Sequence, residues 1–343
     1  MSPGIMFVAP WLFDGGVERV MEQNARWFAA RGYRVRIAVA ELRTIATARP
    51  SPGTICRLGP YNDRMTSIRV HPVAGALGAE IAGVDLAKDL SNETVAAIRR
   101  AWLQHLVIFF RDQDVTPAQF LAFARRFGEP IEYPFVKGLD EFPEIIPVLK
   151  LEHERVNFGG IWHSDTAYLD VPPMASMLVA REVPEAGGDT LFANMYLAYE
   201  WLSAGMKRVL DGLTAINSSS NADVSRTRED RMKDSARAGA REEYVAAHPV
   251  VRVHPETGRR ALYVNVAHTV RFDGMTQEES APLLEYLYRH QVRPEFTCRF
   301  RWRPGSLAFW DNRCAQHNAI NDYQGHRRLL HRITLAGDAP KGP

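Results

Sequence analysis

A chain of 343 residues, with 46% hydrophobic and 24% charged positions, has the make-up of one large globular domain or two ordinary ones, and no apolar run is long enough to cross a bilayer. Its formal charge of +2 is nearly balanced, and Lys and Arg are scattered except in a mixed-charge run near 226–243, which excludes an electrostatic binder of nucleic acid or of acidic membranes. Three cysteines, Cys56, Cys298 and Cys314, cannot all pair, and the apolar start Met1–Phe13 lacks a basic leader and a small-residue cleavage site, so reduced thiols and a cytoplasmic location are expected.

Ile5–Ala9 reads as a short buried strand. Asp14-Gly15-Gly16 and a helical stretch from Val17 to Ala30 follow, Gly32 closes the helix, and Tyr33–Ala40 reads as a second strand. Such a strand–helix–strand unit cannot bury both faces of its strands alone. Residues 1–60 are therefore read as an N-terminal appendage, with the Pro- and Gly-containing stretch Arg49–Pro60 as linker. Met65 is then a candidate start for the main domain, 65–343.

From Ile68 the pattern changes to short strands, strong helices and many turns. Thr116-Pro117-Ala118-Gln119 is a capping box with Pro at the first helical position. The helix it opens puts Phe120, Phe123, Ala124 and Phe127 on one face, and Gly128 stops it. A second capping box, Thr276 to Glu279, opens a helix with Leu283, Leu284 and Leu287 inward. Strands are expected at Ser176–Arg181, Thr190–Ala193, Val250–Val253, Leu262–Val266, Phe296–Trp302, Ser306–Trp310 and Arg327–Leu335. Pro255-Glu256-Thr257-Gly258 turns a hairpin between two of them. Many short strands with few long helices predict a mainly β sandwich or barrel. Segment 218–247, rich in Ser, Arg and Glu, reads as a lid over a site or as a mobile insertion.

The segment Ile161-Trp162-His163-Ser164-Asp165-Thr166 carries the first candidate constellation. Residues i and i+2 of extended chain point to one face, so His163 and Asp165 project together as an imidazole and a carboxylate. With one distant histidine, such a pair makes a facial set on octahedral iron(II) that leaves three positions open. Alone, the same two residues also fit a surface turn. His317 follows an expected strand end, where the mouth of a barrel gathers site residues, although a lone histidine there is more often a packing residue. On the strand Arg327–Leu335, Arg328, Leu330 and Arg332 share a face. Two arginines inside a barrel need anionic partners, because guanidinium holds carboxylate in a bidentate fork and an unpaired buried charge is costly. On a solvent-facing strand they would make ordinary ion pairs.

Together these segments resemble the taurine dioxygenase (TauD/TfdA) family from about Ile68 to Pro340. The resemblance rests on Trp162-His163-Ser164-Asp165, Gly187-Gly188-Asp189-Thr190, Trp310-Asp311-Asn312-Arg313 and the 11-residue step from His317 to Arg328. It implies a double-stranded β-helix core, a jelly-roll, cupin-like barrel with flanking helices. It implies a catalytic iron(II) held by His163, Asp165 and His317, with Thr190 and Arg328 on the distal carboxylate of 2-oxoglutarate. Oxygen is then the second co-substrate, and a C–H bond is hydroxylated with release of succinate and CO2. The carboxylate of Asp165 favours hydroxylation, since related halogenases carry a small residue there. Arg332 matches the arginine that binds an acidic substrate group, implying a small anionic substrate: a sulfonate, sulfate ester, carboxylate or phosphonate. Tyr133 and Val136 stand where the taurine enzymes have a histidine and a tyrosine, and Gly159 where they have an asparagine, which points away from taurine itself. The family also implies a homo-oligomer, a dimer or tetramer. Two other classes compete: a metal- or acid-binding barrel without turnover, and a glycosyltransferase-related protein. The latter rests on Gly15-Gly16-Val17-Glu18-Arg19, which resemble the opening of a family 4, GT-B-type glycosyltransferase within residues 1–40.

Overall fold

The computed structural model describes residues 68–133, 136–221 and 243–343, together with the backbone of two strands at 4–9 and 34–39. The chain divides into two compact units, Met1–Tyr61 and Asn62–Pro343. In the first, β1 (Gly4–Ala9) pairs in parallel with β2 (Arg34–Val39), from Gly4 opposite Arg34 to Ala9 opposite Val39. Parallel neighbours cannot be joined by a tight turn and need a crossover between them. The expected helix Val17–Ala30, the Gly15–Arg19 segment, the linker Arg49–Pro60, Cys56 and Met65 lie outside the described residues.

The second unit begins with β3 (Arg69–Pro72), β4 (Ala79–Ala82), α1 (Asn92–His105), β5 (Val107–Phe110), α2 (Pro117–Arg125), β6 (Pro130–Ile131), β7 (Ile146–Lys150) and β8 (Ala175–Glu182). It continues through β9 (Thr190–Asn194), α3 (Met195–Glu200), α4 (Ala204–Leu210), β10 (Thr214–Ser218), β11 (Val245–Pro249), β12 (Val251–Val253), β13 (Arg260–Leu262) and β14 (Thr269–Phe272). The last elements are α5 (Gln277–Gln291), β15 (Thr297–Phe300), β16 (Leu307–Asp311), β17 (Ala315–Ala319) and β18 (Arg328–Leu335). The large sheet runs β3-β4-β5-β16-β8-β18-β6, with β7 also paired to β18, and a small sheet runs β15-β9-β17.

Residue parity tells the two faces of the large sheet apart. Phe109, Leu178, Ala180, Ala308, Trp310 and Leu330 face the small sheet, while their neighbours Phe110, Met177, Val179, Phe309 and Ile333 face the helices. Between the sheets Phe109 stacks on Phe300 at 4.0 Å, and Trp310 meets Phe192 at 5.8 Å. On the outer face, fully buried Trp102 of α1 stacks on Phe309 at 4.6 Å; truncating such a side chain to Ala costs about 3–5 kcal/mol. Two facing sheets with one face covered by helices are a jelly-roll barrel, as the sequence predicts.

Both expected capping boxes form: Thr116 with Gln119, and Thr276 with Glu279, each with reciprocal side-chain-to-backbone hydrogen bonds. Helix α1 was not expected. It is capped by Ser91, whose hydroxyl accepts from the Thr94 N–H, and it buries Ala97, Ile98, Ala101 and Trp102. The strand expected at Leu262–Val266 is instead Arg260–Leu262, because Asn265 bends the chain into a turn: its side chain accepts from the His268 N–H at 2.9 Å. Cys298 and Cys314 are buried free thiols. No helix among the described residues is long and apolar enough to cross a membrane.

Candidate metal and co-substrate site

His163 lies on a loop laid against β17. It forms an isolated antiparallel bridge with His317, through backbone hydrogen bonds of 3.1 and 2.9 Å. That pairing fixes both histidines side by side, with ring centroids 4.1 Å apart. Asp165, two residues on, projects to the same place: its Oδ1 is 3.6 Å from His163 Nε2 and 3.9 Å from His317 Nε2. One donor atom from each of the three residues lies within 4.8 Å of the others, and all three side chains are buried.

The protonation of this donor set suits a metal ion. The Nδ1–H of His163 donates to the Ile161 carbonyl at 2.6 Å, which leaves the Nε2 lone pair free. Burial keeps both imidazoles neutral by lowering their pKa values, His317 well below the usual range. Burial alone would raise Asp165, but the field of Arg332 and a hydrogen bond from Ser176 oppose it and hold the carboxyl below the usual range. Two neutral imidazoles and one carboxylate, already deprotonated, are a donor set for iron(II).

Asp165 is held from behind. Its Oδ2 accepts from the Ser176 hydroxyl at 2.6 Å and lies 2.9 Å from Arg332 Nη2. The Ser176 hydroxyl accepts from Asn312 Nδ2 at 3.1 Å, and Asn312 Oδ1 accepts from Trp310 Nε1 at 2.9 Å. This chain orients the carboxylate so that Oδ1 faces the histidines. The sequence reading missed Ser176 and Asn312, because neither residue type announces a role until strand β8 is set beside β16.

Thr190 opens β9, and its hydroxyl accepts from Trp302 Nε1 at 2.9 Å, leaving its own proton free to donate. Arg328 is buried, Trp302 lies 5.7 Å from its guanidinium, and its Nε and Nη2 have no hydrogen-bond partner. Gly188, at φ +69°, is what lets that side chain fit, since a Cβ there would sit 3.2 Å from Arg328 Nε.

Arg332 is four residues further along the same strand face, about 13 Å at the usual rise of a strand. Its guanidinium lies 5.2 Å from the Tyr133 ring; Nη2 is ion-paired to Asp165, and Nε has no hydrogen-bond partner. Tyr133 in turn acts on Tyr168, whose phenol burial raises well above its ordinary pKa. Tyr168 meets the buried imidazole of His268 at 4.9 Å, and His268 meets His163 at 6.1 Å. His268, which the sequence reading did not name, thus lies beside the candidate metal cluster. Gly159, at φ +76°, backs onto the His163 ring, where a Cβ would lie 3.1 Å from Cε1. Val136 is half-buried in a bend. Of the expected lid, 222–242 lies outside the described residues, while its roots at Ser218 and Tyr244 adjoin His268 and Tyr168.

In a second buried group, His254, Asp311 and Cys314, the imidazole and the carboxylate are already engaged. Backbone N–H groups of Glu256 and Thr257 donate to His254 Nδ1, so Nε2 carries the proton and donates to Asp311 Oδ2 at 3.0 Å. Arg313 grips both Asp311 oxygens at 2.8 and 2.7 Å. The Trp310–Arg313 motif therefore builds the turn that delivers β17, and with it His317.

The model of the family described as "Taurine catabolism dioxygenase TauD, TfdA family" matches residues 69–334. Among curated proteins, the alpha-ketoglutarate-dependent sulfate ester dioxygenase of Pseudomonas putida is 38% identical over 80% of this chain and 91% of its own length. A taurine dioxygenase from Burkholderia xenovorans has a crystal structure that superposes with a TM-score of 0.69 at 39% identity, over 81% of this chain and 92% of that one. The crystal structure of AAD-2 in complex with Mn(II) and N-oxalylglycine matches with a TM-score of 0.65 at 27% identity, over 80% of this chain and all of that one.

Proposed function

This chain belongs to the taurine catabolism dioxygenase TauD, TfdA family, an enzyme family that uses iron(II), 2-oxoglutarate and O2, and we propose that it oxidises a small sulfate ester. The observation that carries the substrate reading is the pair of buried arginines on one strand face: Arg328 beside Thr190, and Arg332 beside Asp165. Two cations set apart along β18 suit two separate acids, one the co-substrate and one the substrate. The sulfate ester enzyme among the relatives is the reason to rank that acid first among sulfonate, sulfate ester, carboxylate and phosphonate.

In this reading His163, Asp165 and His317 hold the iron, which supplies the oxidising chemistry when bound, converting 2-oxoglutarate and O2 to succinate and CO2 as one oxygen atom goes to a substrate C–H bond. The remaining work belongs to the protein. Arg328 and the Thr190 hydroxyl bind the distal carboxylate of 2-oxoglutarate. Ser176 and Arg332 keep Asp165 ionised and aimed. Arg332, ion-paired to Asp165 through Nη2, holds the substrate acid through Nε, with Tyr133 packed against the guanidinium to fix its plane. Burial excludes water from the site. Hydroxylation at the carbon bearing the ester oxygen gives a hemiacetal sulfate. This breaks its C–O bond to leave an aldehyde, sulfate and a proton. A cytoplasmic homo-oligomer, dimer or tetramer, completes the reading.

The test is a panel of alkyl sulfates, sulfonates, carboxylates and phosphonates with iron(II) and 2-oxoglutarate, following succinate and free sulfate together. Equal yields of succinate and sulfate from an alkyl sulfate are expected. Succinate formation triggered only by non-sulfur acids would replace the substrate assignment and leave the family intact.

A further inference from the structure

Strand β7 carries a buried charge that the scheme above does not use. Lys150 is 3% exposed, and its Nζ has no hydrogen-bond partner. Ile146, Val148 and Lys150 are the buried positions of the strand, alternating with half-buried Pro147 and Leu149. In the antiparallel β7–β18 pair, the residue directly opposite Lys150 is Arg328. Side chains so opposed point the same way, with Cβ atoms about 5 Å apart. Tyr323 sits against both, its ring 4.6 Å from Lys150 Nζ and 5.8 Å from the Arg328 guanidinium carbon. An aromatic face attracts a cation but accepts no conventional hydrogen bond from it. The carboxylate whose field reaches Arg328, Asp189, is bonded to Arg299 through Oδ2 at 2.6 Å, and its Oδ1 makes no hydrogen bond to either cation.

Two like charges opposed across a buried strand pair, each with unmet N–H donors, oppose folding unless something supplies the counter-charge. The acid that the preceding section assigns to Arg328 would do so. We propose that Lys150 is a second cation of the 2-oxoglutarate subsite, binding the distal carboxylate together with Arg328 and Thr190. The inference rests on that assignment of Arg328. A carboxylate has about four lone-pair sites, enough for a guanidinium fork, a hydroxyl and an ammonium at once. Lys150 escaped the sequence reading because β7 itself was not expected there.

The test compares two 2-oxo acids on the iron(II)-loaded protein under nitrogen, by calorimetric titration: 2-oxoglutarate, and 2-oxobutyrate, which lacks the distal carboxylate. Lys150→Met is expected to weaken 2-oxoglutarate about 10- to 100-fold and to leave 2-oxobutyrate unchanged, with Lys150→Arg recovering most of the loss. The metal-free Lys150→Met protein is expected to melt above the wild type, since an unpaired buried charge has been removed. Equal loss for both acids, no loss for either, or a variant that melts lower or fails to fold would overturn the role of Lys150 and leave Arg328 untouched. A wild-type protein that binds 2-oxoglutarate no better than 2-oxobutyrate would instead remove the underlying assignment of Arg328.

Discussion

Replacing Ser176 with Ala separates the support of the metal site from its ligands. The substitution deletes one short hydrogen bond, 2.6 Å from hydroxyl to the ionised Asp165 Oδ2, and strands Asn312 Nδ2, which now donates to that hydroxyl at 3.1 Å. A hydrogen bond to a charged group contributes about 1.5–3 kcal/mol. Loss of a group that orients a ligand typically lowers metal affinity about 10- to 100-fold. Because Arg332 remains 2.9 Å from the same oxygen, Asp165 stays ionised and the lower part of that range applies. The assay is competitive iron(II) titration of the apo protein against a calibrated chelator, with circular dichroism to confirm the fold. Iron(II) affinity indistinguishable from the wild type would refute the claim that this hydrogen bond positions the carboxylate.

Three further outcomes follow from other contacts. Trp302→Phe removes the indole donor to Thr190 and part of the wall beside Arg328, and should raise the KM for 2-oxoglutarate about 5- to 10-fold while leaving that of the sulfate ester unchanged; steady-state kinetics in both substrates check it. Arg332→Gln removes the guanidinium from both the substrate acid and Asp165 Oδ2 and should lower kcat/KM for an anionic substrate by about 100-fold or more, measured as succinate and sulfate release. In the metal-free protein, burial pulls the His268 pKa down to about 3, so below about pH 6.5 the unfolded chain takes a proton that the folded one refuses. Stability should then fall with falling pH, by up to about 1.4 kcal/mol per pH unit from this one residue. Denaturant unfolding of wild type and His268→Gln between pH 7 and 5 should show the shallower slope in the variant.

The strand pattern was legible where side chains alternate strongly. Arg328, Leu330 and Arg332 share the inner face of β18, as their spacing requires. Both capping boxes were legible because the signal is local, three residues from hydroxyl to Glu or Gln. Helix α1 was not expected although Ala97, Ile98, Ala101 and Trp102 share one helical face; Ser91 caps it without the Glu or Gln three residues on that marks the other two. Site residues held by partners far along the chain were invisible because their contacts form only when distant strands are set side by side. Ser176 meets Asp165 only because β8 lies beside the loop that carries the carboxylate, and Lys150 meets Arg328 only through the β7–β18 register. His268 reaches the site because Asn265 turns a stretch that reads as strand.

The central claim is that oxygen is activated at a metal held by His163, Asp165 and His317 while 2-oxoglutarate is spent. Turnover of the iron(II)-loaded protein under 18O2, with 2-oxoglutarate and a medium-chain alkyl sulfate, tests it in one mass spectrum. The account predicts one 18O atom in each succinate formed, and none formed enzymatically by the Asp165→Ala protein. Succinate without label, or labelled succinate made at the wild-type rate by that variant, would contradict it.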